Sequence, residues 1–242
     1  MKLINWIGPI AFLIGVLATL GHRFGLIHYR LSMMVFAFAV IVCVLVVVAG
    51  ILIIGFSMYK KQQFQIEFVV LVLACSLVPI IALSSAGFSV TKPPMIHDIT
   101  TDTHNPPVFK FIQSSNVYRV NSLIYAGEKV SAIQRRAYPD IKTFKTHSPP
   151  RLVYQKALFS GAVLGWEIVG NDLADLRFEA VTTTPLFGFV DDIVVRIMPL
   201  PDGGSAVDVR SMSRVGVTDL GANAKRIRHF LSRLEEELIM LQ

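Results

Sequence analysis

Long unbroken apolar runs fill the first ninety positions, whereas the remainder alternates apolar and polar residues at short periods. The first run, Ile4–Leu20, is interrupted only by Asn5 and Pro9; the second, Met33–Ser57, has no charge; the third, Phe68–Phe88, contains Pro79 and Ser84-Ser85. A helix needs ~20 apolar residues to cross a bilayer, so the pattern predicts transmembrane helices at about 4–20, 33–57 and 68–88. The first run is short enough to resemble a signal peptide. A retained helix is expected instead, because no small-x-small cleavage site precedes His22-Arg23 and further spans follow. The chain thus divides into a transmembrane region, 1–90, and a soluble domain, 91–242.

Within the second region, 89–117 holds Pro93-Pro94, Pro106-Pro107 and many Thr, Asp and Asn, which predicts an extended linker. Apolar spacing at Val130, Ile133 and Ala137 predicts a helix over Gly127–Tyr138. A second helix is expected from an N-cap at Ser148, with Pro149 in its first turn, to about Leu164. Four strands follow, at Trp166–Val169, Leu176–Thr183, Ile193–Met198 and Ala206–Met212. Leu200-Pro201-Asp202-Gly203 suits a type I turn with Gly203 in the left-handed position of a bulge. That loop pairs position 200 with 204, so Val195 should face Val209, Ile197 face Val207 and Arg196 face Asp208. From Asp219 onward Ile227, Leu231, Leu234, Leu238 and Leu241 form a helical stripe with Phe230 beside it. Its early bases, Lys225, Arg226 and Arg228, oppose the helix dipole and should have partners elsewhere. These elements predict an α+β domain with an antiparallel sheet of about four strands packed against helices. The order of the last strands and helix resembles a helix-grip, START-like fold.

A formal charge of +6 could point to nucleic acid. Its distribution argues otherwise: residues 1–90 carry five bases against one acid, and 91–242 carry 18 against 16. The surplus flanks the apolar runs, as lipid headgroups favour, so membrane lipid rather than nucleic acid is the expected contact. Lys2, Lys60 and Lys61 against Arg23, Arg30 and Lys92 put the N-terminus inside. Three spans then place the C-terminal domain on the periplasmic side of a bacterial inner membrane. None of the runs contains Asp, Glu, Lys, Arg or His, which disfavours a transporter or pump. Cys43 and Cys75 both lie in apolar runs, leaving the soluble domain without a thiolate metal site or disulfide.

Two polar clusters are candidates for chemistry. Asp98, Asp102 and His104 could serve as cation ligands or as acid and base, but Thr100, Thr101, Asp102 and Asn105 also suit backbone-bonding turns. Arg210, Ser211, Ser213 and Arg214, followed by Asp219, Asn223 and Arg226, could grip a phosphate or carboxylate. They could equally form an internal network with Asp191, Asp192 and Asp219 as acid partners, and this second reading is expected. Nucleophile-elbow, phosphate-loop, zinc-helix and dinucleotide motifs are absent from the sequence. No catalytic residue, metal or cofactor is assigned.

The stretches Asp98-Ile99-Thr100-Thr101-Asp102, Pro106-Pro107-Val108-Phe109, Tyr138-Pro139-Asp140-Ile141, Phe187-Gly188-Phe189-Val190-Asp191-Asp192, Val195-Arg196, Val209 through Gly216, Asp219 through Asn223 and Arg226-Ile227 resemble the domain of unknown function 1499 family (DUF1499). The resemblance spans roughly 97–238 and implies no activity, substrate or cofactor. It marks as residues to test Asp98, Thr100, Thr101, Asp102, Asp191, Asp192, Arg196, Arg210, Ser211, Ser213, Arg214, Asp219, Asn223 and Arg226. The expected function is that of a membrane-anchored accessory protein, leaning away from an enzyme, whose domain binds another membrane protein or a lipid-like ligand. A hydrolase acting on a membrane-derived substrate and a structural subunit of a larger complex are the alternatives.

Overall fold

The fold was analysed in a computed structural model that describes residues 6–61, 93–113 and 118–240, together with helical positions 69, 70, 73, 76 and 77. It divides into an N-terminal and a C-terminal unit, each compact in itself.

In the N-terminal unit, α1 (Ile7–Arg23) and α2 (Tyr29–Tyr59) form a helical hairpin. Gly8, Ala11, Gly15 and Ala18 recur every three or four residues on the buried side of α1, and small side chains there let the helices approach closely. An added Cβ on Gly15 would lie 3.3 Å from that of Ala39. Ser32 Oγ donates to the Ala18 carbonyl (2.6 Å), a polar tie between the two helices. At 31 residues, with an 18-residue stretch of mean hydropathy 3.4, α2 is long and apolar enough to cross a membrane. It spans about 46 Å, beyond the ~30 Å hydrocarbon layer. The expected span at 33–57 is therefore a longer helix, and that at 4–20 lies three residues later as a shorter apolar helix. The expected third span, 68–88, falls outside the described residues apart from those five positions.

The C-terminal unit is α+β. Its strands are β1 (Asp98–Thr100), β2 (Phe144–Thr146), β3 (Glu167–Asp172), β4 (Arg177–Thr183), β5 (Val190–Pro199) and β6 (Ser205–Ser213); its helices are α3 (Glu128–Ala137), α4 (Pro150–Val163) and α5 (Ala222–Ile239). The sheet is antiparallel, in the order β1-β6-β5-β4-β3, with β2 paired to β6 beyond the end of β1. The four long strands match the sequence expectation. The other two have three residues each, too few to show a period, and β1 lies within turn-forming residues expected to be linker. The register agrees at every expected pair: Val195 opposes Val209, Ile197 opposes Val207, and Arg196 opposes Asp208.

Alternate residues of the strands build the core. Phe178, Ala180, Ile193, Val195, Ile197, Val207 and Val209 face Val153 and Ala157 of α4 and Ile227, Phe230, Leu234 and Leu238 of α5. Trp166 stacks on Phe230 with ring centroids 4.8 Å apart. Each such large apolar side chain contributes about 1.5–3 kcal/mol through removal from water. Side chains of the sheet, α4 and α5 thus pack together in one apolar core.

Two helices depart from expectation in detail. Helix α3 buries Ser131 and Gln134 instead of an Ile133 stripe. The reason is β1: Gln134 donates through Nε2 to the Thr100 carbonyl (2.6 Å) and accepts from Thr100 N at Oε1 (3.0 Å). Its amide takes the place of a neighbouring peptide on the strand's open edge, where unpaired groups would be costly. Helix α4 is capped by Pro149, not Ser148. Pro150 holds the preceding residue extended, at ψ 145°, which moves the helix start along by one residue.

In the β5–β6 turn, Gly203 has φ +83° with open space around it, while a Cβ on Gly204 would lie 2.5 Å from the Thr146 carbonyl oxygen. Gly203→Ala should therefore cost roughly 1–2 kcal/mol through backbone strain alone. Gly204→Ala should cost more, about 2–3 kcal/mol, because β2 must move. Thermal melting of the detergent-solubilised chain by near-ultraviolet circular dichroism checks the order; equal losses would contradict the reading.

Candidate functional site

On the sheet face turned away from α4 and α5, the alternation places Arg177, Glu179, Asp192, Val194, Arg196, Asp208, Arg210 and Met212. A strand pattern of this kind ordinarily faces water. Here Glu179, Asp192, Asp208 and Arg210 are buried. They lie beneath residues 101–113 and 118–126, which run across the sheet as a cover segment and are held to it by side chains of the strands.

Glu179 shows how. Its carboxylate accepts hydrogen bonds from three successive amides, Lys110 N (2.5 Å), Phe111 N (2.9 Å) and Ile112 N (2.7 Å). Arg177 donates to the Val108 carbonyl and lies 3.3 Å from Glu179. Around these bonds Phe109 and Ile112 pack on Val194 and Met212, with Leu123 and Val181 beside them, forming a second, smaller apolar core. Gly170 lets the segment lie flat, since a Cβ there would come 2.3 Å from the Phe111 ring.

Arg210 is the centre of this face and is 1% exposed. Its guanidinium binds Asp98 twice, Nε to Oδ1 at 3.0 Å and Nη2 to Oδ2 at 2.8 Å. It also donates to the Pro107 carbonyl (3.2 Å) and the Leu123 carbonyl (2.9 Å). The rings of Phe109 and Tyr125 lie 5.1 and 5.3 Å from it, within the range of a cation–π attraction. Burial is the main cause that raises the Tyr125 pKa, so this phenol is neutral. Nearer the turn, Arg196 donates to Asp208 (2.9 Å), Asp102 (3.2 Å) and the Asn105 carbonyl (2.9 Å). Asp208 also accepts from Thr101 (3.0 Å) and Thr143 (2.6 Å). At the other end Asp192 binds Arg119 (2.6 Å) and Arg214 (2.8 Å).

A second group sits on the opposite face, at the start of α5. Asn223 Oδ1 accepts from Ser211 (2.7 Å), and Asn223 Nδ2 donates to Ser213 Oγ (3.1 Å) and the His97 carbonyl (3.0 Å). Arg226 binds Asp191 (2.6 Å) and Ser211 (2.9 Å). Asp219 accepts from Gly221 N (2.8 Å) and Asn223 N (2.9 Å), capping the helix. Burial raises the pKa of Asp191 despite the opposing pull of Arg226, and burial likewise raises that of Asp219 against its two amides.

The structure therefore gathers thirteen of the fourteen candidate residues into two internal networks. Asp98, Thr101, Asp102, Asp192, Arg196, Arg210 and Arg214 lie on the covered face; Asp191, Ser211, Ser213, Asp219, Asn223 and Arg226 lie at the helix start. Thr100 is buried in β1, its hydroxyl donating to the Asp102 carbonyl (3.2 Å). Of the expected acid partners, Asp191 and Asp192 hold arginines, but Asp219 holds backbone amides. Arg210 pairs instead with Asp98, across the two sequence clusters. Asp102 caps a turn by accepting from His104 N (3.0 Å) and Asn105 N (2.9 Å), the ordinary use of an aspartate in such a segment. Among the described residues no group of three His, Cys, Asp or Glu is placed to hold a metal ion. Glu179, Arg177, Gln134, Arg119 and Tyr125 were not legible as members of these networks, because an alternating strand and a loop give no sign of the segment that covers them. Arg226 and Arg228, two of the early bases of α5, do have distant partners: besides Arg226 with Asp191, Arg228 binds Asp140 (2.5 and 2.9 Å).

The chain belongs to the family described as protein of unknown function (DUF1499), whose model matches residues 98–234. The match begins at the first residue of β1 and ends inside α5, so it takes in the sheet, the cover segment and both networks. No curated protein matches the chain.

Removing one member of a buried pair leaves the other charge uncompensated, at a cost of about 3–5 kcal/mol. Arg210→Met is expected to lose that much, whereas Arg210→Met combined with Asp98→Leu should recover a large part of it. Melting of the single and double variants checks this, and losses that simply add would contradict the pairing.

Proposed function

We propose that this DUF1499 protein is a membrane-anchored accessory protein whose C-terminal domain binds a protein partner on the outer side of its cover segment. The supporting observation is the way that surface is presented. Val108 and Ile124 are 64% and 82% exposed. Each follows a residue, Pro107 or Leu123, whose carbonyl is bound by the one Arg210 guanidinium, so both exposed side chains stand on backbone that the same buried residue fixes. A preordered apolar surface loses little conformational entropy on binding, which favours its use as a contact. The basic residues flanking the apolar runs support an anchor in a bacterial inner membrane with the domain on the periplasmic side.

The apolar packing of the sheet on α4 and α5 favours a protein partner at the surface over a lipid-like ligand held in the fold. A hydrolase would need Asp98, Asp102 or His104 at an open site; Asp98 is committed to Arg210 and Asp102 to a turn.

The test is co-purification of the full chain from its native membranes in mild detergent. A second protein is expected in fixed ratio, and Val108→Glu with Ile124→Glu should weaken its retention by about tenfold or more, equivalent to ~1.4 kcal/mol, without lowering the melting temperature. A lone chain, or a partner retained equally by the double variant, would overturn the proposal.

A further inference from the structure

One end of the C-terminal unit brings together three chain segments. Residues 94–97 bond to 213–219: Ser213 N donates to the His97 carbonyl (2.9 Å), Asp219 N to the Ile96 carbonyl (3.2 Å) and Thr218 Oγ1 to the Pro94 carbonyl (3.0 Å). Residues 120 and 121 join the same strip, since both their amides donate to the Arg214 carbonyl (2.8 and 3.0 Å) and Asn121 Nδ2 donates to the Gly216 carbonyl (2.9 Å). The polar backbone is thus satisfied inward. What the strip turns outward is apolar: Met95, Val120, Val217 and Leu220 are all exposed, as is Tyr118 beside them.

Exposed apolar residues gathered on one strip mark a contact. Chain connectivity says which. Pro93 follows the apolar run 68–88 by five residues, so even a fully extended tether reaches only about 17 Å from the end of that run. If the run lies in the membrane, the strip attached to residues 94–97 is held at the bilayer surface. Met, Val and Leu suit shallow insertion, to a depth of ~5–10 Å, and Tyr suits the headgroup level. From these observations we infer that residues 94–97, 118–121 and 214–220 form an edge that rests in the headgroup region of the lipid bilayer. This inference rests on the membrane-anchored reading and adds to it a second, lipid-facing surface, separate from Val108 and Ile124.

Accessibility of spin labels tests it in the full chain, reconstituted alone into vesicles of phosphatidylcholine and phosphatidylglycerol. Cys43→Ala and Cys75→Ala remove the native thiols, and labels are placed by Val217→Cys, Val120→Cys or, as control, Asp202→Cys at the β5–β6 turn. That turn lies at the far end of the hairpin from residues 190 and 213. Labels at 217 and 120 are expected to collide mainly with lipid-dissolved oxygen and to be shielded from a water-soluble nickel chelate, with the reverse at 202. Chelate accessibility at 217 and 120 equal to that at 202 overturns the inference. Melting of each labelled protein against the unlabelled chain identifies any variant that has lost its fold; Val120→Ser and Val217→Ser, labelled instead at Met95→Cys, then supply the same comparison. Because no other protein is present, a negative result here leaves the partner-binding proposal to stand or fall by co-purification.

Discussion

Arg210 and Asp98 form the bond on which the rest of the C-terminal unit depends. The arginine is fixed in the middle of β6, the aspartate in the three-residue edge strand β1, and their two-point contact sets the angle at which the chain joins the sheet. The same guanidinium then captures carbonyls from both arms of the cover segment, at Pro107 and Leu123. One side chain thereby ties β6 to three stretches that lie 87 to 112 positions before it. A guanidinium can do this because its five donors lie in a rigid plane, whereas the point charge of a lysine could not satisfy the same set.

The arrangement explains why a sheet with so many charges on one face does not present that face to water. Each buried carboxylate is matched by guanidinium groups, hydroxyls or amides: Glu179 by three amides, Asp208 by Arg196 and two threonines, Asp192 by two arginines. Pairs of this kind add little net stability over apolar packing, because desolvation offsets their attraction. Their effect is on position. A cover segment without helices or long strands would otherwise have many conformations; each misplacement leaves a buried charge or amide unpaired, and that penalty selects one.

Much of the fold was legible because it rests on local periodicity. The β5–β6 register followed from the turn at Leu200–Gly203 and the alternation on either side, down to the Arg196–Asp208 pair. The α5 stripe from Ile227 to Leu238, with Leu241 outside the described residues, and the distant partners of Arg226 and Arg228 followed from the 3.6-residue period and the direction of the helix dipole. What the sequence concealed is long-range. Asp98 lies 112 positions from Arg210, and neither residue carries a local sign of the other. Gln134 looks like one more surface glutamine until β1 is placed against it, and Glu179 looks like the solvent side of a strand until residues 110–112 cover it. The alternative of an internal network, weighed against an open anion site, matches the geometry for Asp191 and Asp192; for Arg210 the acid came from the other cluster. The candidate residues are joined by internal bonds, and the surfaces proposed for binding lie on exposed side chains around them.

The central claim is that the cover segment folds as part of the sheet and not as a loop lying over it. Hydrogen exchange of the native chain tests this directly, because the amides of Lys110, Phe111 and Ile112 depend for protection on the Glu179 carboxylate. If the claim holds, these three amides exchange as slowly as those of the central strands β5 and β6, opening only with the whole domain. Exchange at the rate of an unprotected loop, while β5 and β6 stay protected, would contradict it.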